Sequence, residues 1–146
     1  MRTAIIIAAA AVLATWLWFT LRNSRRSNAR LQERLAKNPA HSPESFAQVH
    51  FPDSRSDIAR RVHRVFLDTA PYDARHARPD DRLVDDLRFD DFDSMATVEF
   101  VLALEKEFEV KLPDAEMAKA RTLRDIIDYI FRQTATQSAS LAESPD

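Results

Sequence analysis

Two stripes of apolar residues at helical spacing occupy the middle of the chain. The first predicts an amphipathic helix that begins at Ser56 and ends at about Thr69. Its apolar positions are Ile58, Val62, Val65 and Phe66. The second stripe predicts a helix from Ser94 to Phe108 whose other face is acidic. The residues of this second helix that are available for burial are Val98, Val101, Leu102, Leu104 and Phe108.

Two further helices are predicted in the C-terminal part of the chain. The run DAEMAKA predicts a short helix with Asp114 as its N-cap, and Thr122 with Asp125 forms a capping box that opens a longer one. The apolar stripe of that last helix consists of Ile126, Ile127, Ile130 and Phe131. No stretch alternates as a strand would. The sequence therefore predicts an all-α four-helix bundle over residues 54–133, with one short member.

A long connection separates the first two helices of this bundle. It contains Pro71 and Pro79, which interrupt helical structure. Its apolar residues are Leu83, Val84 and Leu87. Because isolated apolar side chains in a polar loop gain stability by burial, we expect the loop to pack against the core of the bundle.

The N-terminal part of the chain predicts a single transmembrane helix before the bundle. Residues 4–21 form an uncharged run that would extend about 27 Å as a helix, enough to reach across a hydrocarbon core. Only Arg2 precedes the run, and the arginines that follow it are Arg22, Arg25, Arg26 and Arg30. Because positive charge stays on the cytoplasmic side, we expect a single-pass inner (cytoplasmic) membrane protein whose remainder faces the cytosol. A cleaved secretory signal is the alternative interpretation of this short, alanine-rich run.

These segments divide the chain into five parts. They are an N-terminal tip (1–3), a transmembrane anchor (4–21), a basic tether (22–53), the helical domain (54–133) and a disordered tail (134–146). The tether is expected to act as a spacer because its prolines break any helix that continues from the anchor. The tail is expected to be disordered because it is rich in small polar residues.

Composition narrows the classes of function. The 146 residues include no cysteine and no glycine, which excludes disulfides, thiolate chemistry and glycine-rich phosphate loops. The four histidines lack neighbours at metal-ligand spacing, and the aspartate-rich stretch lacks the glycine and terminal glutamate of an EF-hand, so we expect no metal site. Residues 80–116 are strongly acidic, which argues against a nucleic-acid partner for this half.

The stretch LRFDDFDSMATVEF places Ser94 at the start of the second helix. A hydroxyl at an exposed helix N-terminus is accessible for modification, and the backbone N–H groups and helix dipole there tolerate a phosphodiester. The alternative interpretation is that Ser94 or Asp93 only caps the helix.

From about Ser54 to Gln133 the chain resembles an acyl carrier protein. DSMATVEFVLALEKEFEVKLPDAE is similar to the family's DSL motif with its following helix, and TLRDIIDYI is similar to the family's last helix. The resemblance implies that Ser94 carries a 4'-phosphopantetheine arm from coenzyme A. An ungapped count through the preceding loop puts Asp91 in that position instead. Counting back from the helix gives Ser94, and we prefer this count because a helix fixes register while a loop tolerates insertions.

The resemblance also implies partners and an acyl pocket. A phosphopantetheinyl transferase and acyl-activating, chain-extending and acyltransferase enzymes of fatty acid biosynthesis or lipid metabolism would bind the carrier through basic patches. The implied partner-binding residues are Asp93, Met95, Val98, Glu99, Leu102, Glu105 and Glu107. The implied acyl pocket is formed by Val98, Leu102, Phe108, Leu112, Met117 and Ile126. We expect a monomeric carrier, not an enzyme. The alternative is a membrane-tethered interaction module that keeps the carrier fold without the arm.

Overall fold

A computed structural model describes residues 31–89 and 95–142 of the chain. Besides a helical stretch at residues 31–35, these residues form five helices, which we number in chain order. They are α1 (Pro43–His50), α2 (Ser56–Thr69), α3 (Met95–Phe108), α4 (Asp114–Met117) and α5 (Leu123–Ala142). The described residues contain no β-strand and only an isolated bridge between Arg82 and Thr122. The prediction of an all-α fold is therefore confirmed for this part of the chain.

Helix α2 lies at the centre of the compact unit formed by residues 35–146, where it contacts α1, α3 and α5. Its residue Phe66 is fully buried and meets Phe100 of α3 edge to face, with 5.5 Å between the ring centroids. From α5, Ile127 and Ile130 are also fully buried. These contacts remove the apolar stripes of all three helices from water, which is the main source of stability in such a bundle.

Helix α1 is a structural element that the sequence analysis missed. Ser42 caps it by accepting a hydrogen bond from the backbone N–H of Ser45 at 3.2 Å. Pro43 occupies the first turn, where its missing N–H has no helical partner to lose. Phe46 and, just after the helix, Phe51 are fully buried. The prediction that residues 22–53 serve only as a spacer is therefore wrong for residues 43–51, because two aromatic side chains dock this segment on the bundle.

The loop between α2 and α3 packs against the core, as expected, but only in part through the predicted residues. Leu87 is fully buried, and its carbonyl accepts a hydrogen bond of 2.7 Å from the Tyr72 hydroxyl. Burial raises the pKa of Tyr72, which keeps the hydroxyl protonated as the donor. Val84 is half-exposed, so its predicted burial is wrong.

The starts of the last two helices differ in how well they were predicted. Asp114 does not cap α4: it is the first helical residue, and Pro113 occupies the cap without a side-chain hydrogen bond. The capping box of α5 is confirmed. The backbone N–H of Asp125 donates to Thr122 Oγ1 at 3.2 Å, and the backbone N–H of Thr122 donates to the Asp125 carboxylate at 3.0 Å.

Helix α5 continues well beyond the predicted end of the domain. It extends to Ala142, so the prediction of a disordered tail is wrong for residues 134–142. Hydroxyl side chains in this stretch donate to helix carbonyls one turn earlier, as Thr134 does to Ile130 at 3.0 Å and Ser138 to Thr134 at 3.0 Å. Small polar residues therefore remain compatible with the helix here because their hydroxyl groups are satisfied within it.

The N-terminal part of the chain is described only from residue 31, and residues 31–35 are helical. Within the described ranges, no helix has the length and apolar character needed to cross a membrane. The predicted anchor, residues 4–21, and the arginines that follow it lie outside the described residues.

Candidate functional site

The candidate modification site lies immediately before helix α3. Ser94, Asp93 and Asp91 all fall outside the described residues, and the structure resumes at Met95 as the first residue of the helix. Met95 is 80% exposed. The residue that precedes it in the chain is thus joined to the N-terminal end of a helix that is open to solvent, where the helix dipole favours a negatively charged group.

The exposed face of α3 continues from Met95 along the helix. Val98 is 44% and Leu102 58% exposed, and Glu99 also lies on this face. The prediction that Val98 and Leu102 are available for burial is therefore wrong. The buried stripe consists of Thr97, Phe100, Leu104 and Phe108. Its spacing of three or four residues places these side chains on one face of the helix, opposite the apolar residues that remain in solvent.

Two of the predicted partner-binding carboxylates have internal roles. Glu105 is 19% exposed, and its carboxylate accepts a hydrogen bond from the backbone N–H of Leu112 at 2.8 Å. Glu107 accepts one from Arg61 Nε at 2.7 Å, and Arg61 also donates to the Glu107 carbonyl at 2.6 Å. The Arg61 guanidinium lies over the Phe108 ring, 4.3 Å from its centroid. These two glutamates therefore hold the C-terminal part of α3 against α2 and the following loop.

A cavity of about 450 Å³ opens beside α3. Its walls come from the loop before α3, from α3 itself and from the segment that contains α4 and the start of α5. The apolar residues in these walls are Leu83, Val84, Phe89, Phe100, Val101, Met117, Ala118, Ala120 and Ile126. The polar residues are Arg82, Asp85, Thr97 and Arg121. A largely apolar cavity of this size is typical of a site for a small hydrophobic ligand.

The cavity walls include two of the six residues predicted for an acyl pocket. Met117 and Ile126 line it. Val98 and Leu102 point to solvent instead, and the buried residues Phe108 and Leu112 pack elsewhere in the core. The structure thus brings Met117 and Ile126 together with loop and helix residues that the sequence analysis did not select.

The missed wall residues carry different sequence signals. Phe100 and Thr97 belong to the 97–100–104–108 stripe, so a stricter helical count would have found them. Leu83 and Phe89 belong to an irregular loop. Such a loop has no periodicity from which to predict which side chains face the cavity. Phe89 packs within 5.2 Å of Phe66 and 5.6 Å of Phe100, measured between ring centroids. The rings of Phe89 and Phe100 both line the cavity.

The geometry fits a covalently attached arm that carries an apolar chain. An exposed helix start leaves room for the attachment point, and the cavity begins within one turn of it, at Thr97. Among the described residues, no group of three or more histidine, aspartate and glutamate side chains has the geometry to hold a metal ion.

Comparison with known proteins agrees with this geometry. Residues 75–130 match the family model for a phosphopantetheine attachment site. The chain is similar to an acyl carrier protein from Thermosynechococcus vestitus, with 34% identity over 82 residues that cover 56% of this chain and 98% of that protein. It is also similar to an acyl carrier protein from Helicobacter hepaticus, with 35% identity over 74 residues that cover 51% of this chain and 93% of that protein.

These matches cover almost the whole length of both relatives. The prosthetic group is covalently attached 4'-phosphopantetheine, and the protein works with a phosphopantetheinyl transferase and with acyl-handling enzymes. From its helical bundle, its exposed helix start and its relatives, the chain belongs to the acyl carrier protein family, whose members carry acyl groups and are not enzymes.

Proposed function

We propose that Ser94 is the residue that carries the 4'-phosphopantetheine arm. The observation that supports this assignment is the start of α3 at Met95, directly after Ser94 in the chain. Asp91 lies three residues further from the helix, and its carboxylate has no hydroxyl to form the phosphodiester. Because the thiol at the end of the arm would hold acyl groups as thioesters, a position at an exposed helix end gives the arm access to several enzymes.

The cavity beside α3 is the proposed place for the acyl chain between encounters with enzymes. It is largely apolar, and it lies on the same helix as the proposed attachment point. Burying the chain there would remove methylene groups from water, each worth about 0.8 kcal/mol. Met117 and Ile126 are the predicted pocket residues that support this location.

Partner enzymes are proposed to bind the exposed face of α3, defined by Met95, Val98, Glu99 and Leu102. Its apolar side chains are unusually exposed for a soluble surface, and Glu99 supplies a negative charge beside them. Asp93 would add a second charge next to the arm. Glu105 and Glu107 contribute less to this surface because internal hydrogen bonds occupy them.

Attachment to the cytoplasmic membrane is the further part of the proposal. It is supported by the uncharged run at residues 4–21 and the arginine excess after it. An anchored carrier would deliver acyl groups at the membrane surface, so enzymes of lipid metabolism are the proposed clients. Protease protection on sealed inside-out vesicles, together with N-terminal sequencing, tests this topology. A protected domain, or a mature chain that begins after residue 21, contradicts it.

The assignment of Ser94 is tested by loading the protein with coenzyme A and a broad-specificity phosphopantetheinyl transferase. Intact mass should increase by one phosphopantetheine group in the wild type and in the control variant Asp91→Ala. Ser94→Ala should show no increase. Loading that persists in Ser94→Ala would refute the assignment, and folded wild-type protein that is never loaded would favour the armless interaction module.

A further inference from the structure

One wall of the cavity is a loop that depends on backbone hydrogen bonds for its position. The N–H of Leu83 donates to the Arg121 carbonyl at 2.8 Å, and the N–H of Phe89 donates to the Leu83 carbonyl at 2.7 Å. The N–H of Arg124 donates to the Pro79 carbonyl at 2.9 Å. Residues 79–89, which we call the wall loop, are thus attached to the start of α5 and the residues just before it.

The segment before α2 contacts the loop between α2 and α3 as well, at residues that precede the wall loop. Residues 38–51, which we call the brace, lie outside the part of the chain that matches the family model, residues 75–130. The Asn38 side chain donates to the His76 carbonyl at 3.3 Å, and His76 Nδ1 donates to the Asn38 carbonyl at 2.6 Å. The N–H of His41 donates to the Arg75 carbonyl at 2.8 Å. Three hydrogen bonds therefore hold residues 75–76 against the brace.

The last residue of the brace reaches the wall loop through an arginine. Phe51 is fully buried, and the Arg124 guanidinium lies over its ring, 4.9 Å from the centroid. Arg124 in turn makes two hydrogen bonds to the Asp80 carboxylate, at 2.6 and 2.9 Å. The Arg55 guanidinium also lies near the Phe51 ring, at 5.2 Å, and is paired with Asp128 of α5 at 2.7 Å.

These contacts form a continuous path from the brace to the cavity wall. The Phe51 ring fixes the plane of the Arg124 guanidinium by cation–π attraction, and that plane sets the two hydrogen bonds to Asp80. The Arg124 side chain is about one-third exposed, so its ion pair alone would be weak. Because one face of the guanidinium lies on the Phe51 ring, the Arg124 side chain has fewer alternative rotamers to the one that bonds Asp80. Asp80 is therefore held more firmly.

We propose that the brace positions the wall loop through Phe51, Arg124 and Asp80, and that it thereby controls how firmly the cavity retains an acyl chain. The effect on the acyl chain rests on the proposed function of the cavity. The effect on the wall loop is independent of that proposed function, because it concerns the protein before any arm is attached. Phe51 and Arg124 act in this proposal as positioning residues.

The first experiment measures amide hydrogen exchange in the wall loop of the full chain without the arm. Phe51→Leu keeps an apolar side chain in the core but removes the ring, and Asp80→Asn removes the charge from a side chain that is 69% exposed. Loss of the contact between Arg124 and either Phe51 or Asp80 should speed hydrogen exchange in peptides covering residues 79–89 by about fivefold. The variant at Asp80 remains informative if the one at Phe51 fails to fold.

The matched control is Asp57→Asn, which removes a similarly exposed carboxylate from its ion pairs with Arg60 and Arg61 within α2. Asp57 is 63% exposed and is bonded to Arg60 at 2.6 Å. A second control, Val49→Ala, changes an exposed side chain of the brace itself. Both controls should leave exchange in the wall loop at the wild-type rate. Unchanged exchange in Asp80→Asn, or equal acceleration in Asp57→Asn, overturns the proposal.

The second experiment measures acyl retention in the same variants after loading. Intact mass first confirms that each variant carries one arm and one medium-chain acyl group. Cleavage of the thioester by hydroxylamine is then timed, and it should be several-fold faster in Asp80→Asn and Phe51→Leu than in the wild type and the two controls. Equal cleavage rates in proteins whose wall-loop exchange differs would refute the link between brace and acyl chain. Failure of the folded wild type to load would count against the arm at Ser94 instead, and the exchange result would stand.

Discussion

Acidification is expected to destabilise the protein through His63. This residue is fully buried in α2 and stacks on Phe46 of α1, with ring centroids 4.0 Å apart and planes nearly parallel. Neither ring nitrogen has a hydrogen-bond partner among the described residues. The pKa of His63 is lowered to about 4; burial is the largest cause, the neighbouring His41 and His50 add to the lowering, and Glu44 opposes it. Protonation therefore places a positive charge on a buried ring whose nitrogens have no hydrogen-bond partner among the described residues.

The sign and size of the effect follow from linkage. In the unfolded chain the pKa of a histidine is about 6.5, so between pH 6.5 and pH 4 the unfolded state binds the proton and the folded state does not. The free energy of unfolding should therefore fall as pH is lowered through this window. Each pKa unit corresponds to about 1.4 kcal/mol, so the contribution of His63 should reach about 2 kcal/mol at pH 5 and about 3 kcal/mol at pH 4.

The assay is urea unfolding at pH 7 and pH 5, followed by circular dichroism. His63→Phe removes the titrating ring but keeps an aromatic side chain against Phe46, so it should lose much less stability between these two pH values than the wild type. Burial also lowers the pKa of His50, so a smaller loss should remain. His50→Asn is the matched control and should keep most of the wild-type loss. If His63→Phe shows the full wild-type loss, the buried ring is not the cause.

Three further predictions concern the site and its scaffold. Glu105→Ala should lower the free energy of unfolding by about 2 kcal/mol because it leaves the backbone N–H of Leu112 without its charged acceptor. Glu99→Lys should instead slow arm loading several-fold with little change in stability. Urea titration measures the first effect and loading kinetics the second, and equal effects of the two variants in both assays would contradict these roles. Glu109→Gly should stabilise the fold by about 1 kcal/mol, measured as a higher urea midpoint, because Glu109, the residue directly after α3, has a φ of 53°, which favours glycine. Thr122→Ala should cost about 1 kcal/mol in the same assay, since it removes the cap of α5, and no change would mean that the capping box is not stabilising.

Helical periodicity predicted the bundle well where a helix has one clearly apolar face. The range of α2 and the capping box at Thr122 were both read correctly from residue spacing. Periodicity failed on α3, which has apolar residues on two faces, so Val98 and Leu102 were taken for core residues. It also failed on α1, because a helix of 8 residues docked by Phe46 gives too short a pattern to separate from a polar linker.

The candidate site shows the same division between local and tertiary information. The position of Ser94 before a helix follows from the sequence pattern, and the structure places the helix start at Met95. The internal bonds of Glu105 and Glu107 depend on partners that lie seven residues away in a loop and 46 residues away on α2. No count along α3 reveals such partners, because the fold alone brings them together.

Docking of the brace also changes how far the carrier domain can travel from the N-terminal part of the chain. Fourteen extended residues, the length of the brace, would supply up to about 50 Å of contour length. Folded, the 8 residues of α1 rise only about 12 Å along the helix axis, and the rest is fixed to the bundle. With residues 4–21 in a membrane, as proposed, the domain would search a correspondingly thinner layer above the bilayer. Enzymes whose active sites lie close to the lipid surface would then meet the arm at a higher local concentration than enzymes that reach deep into the cytosol.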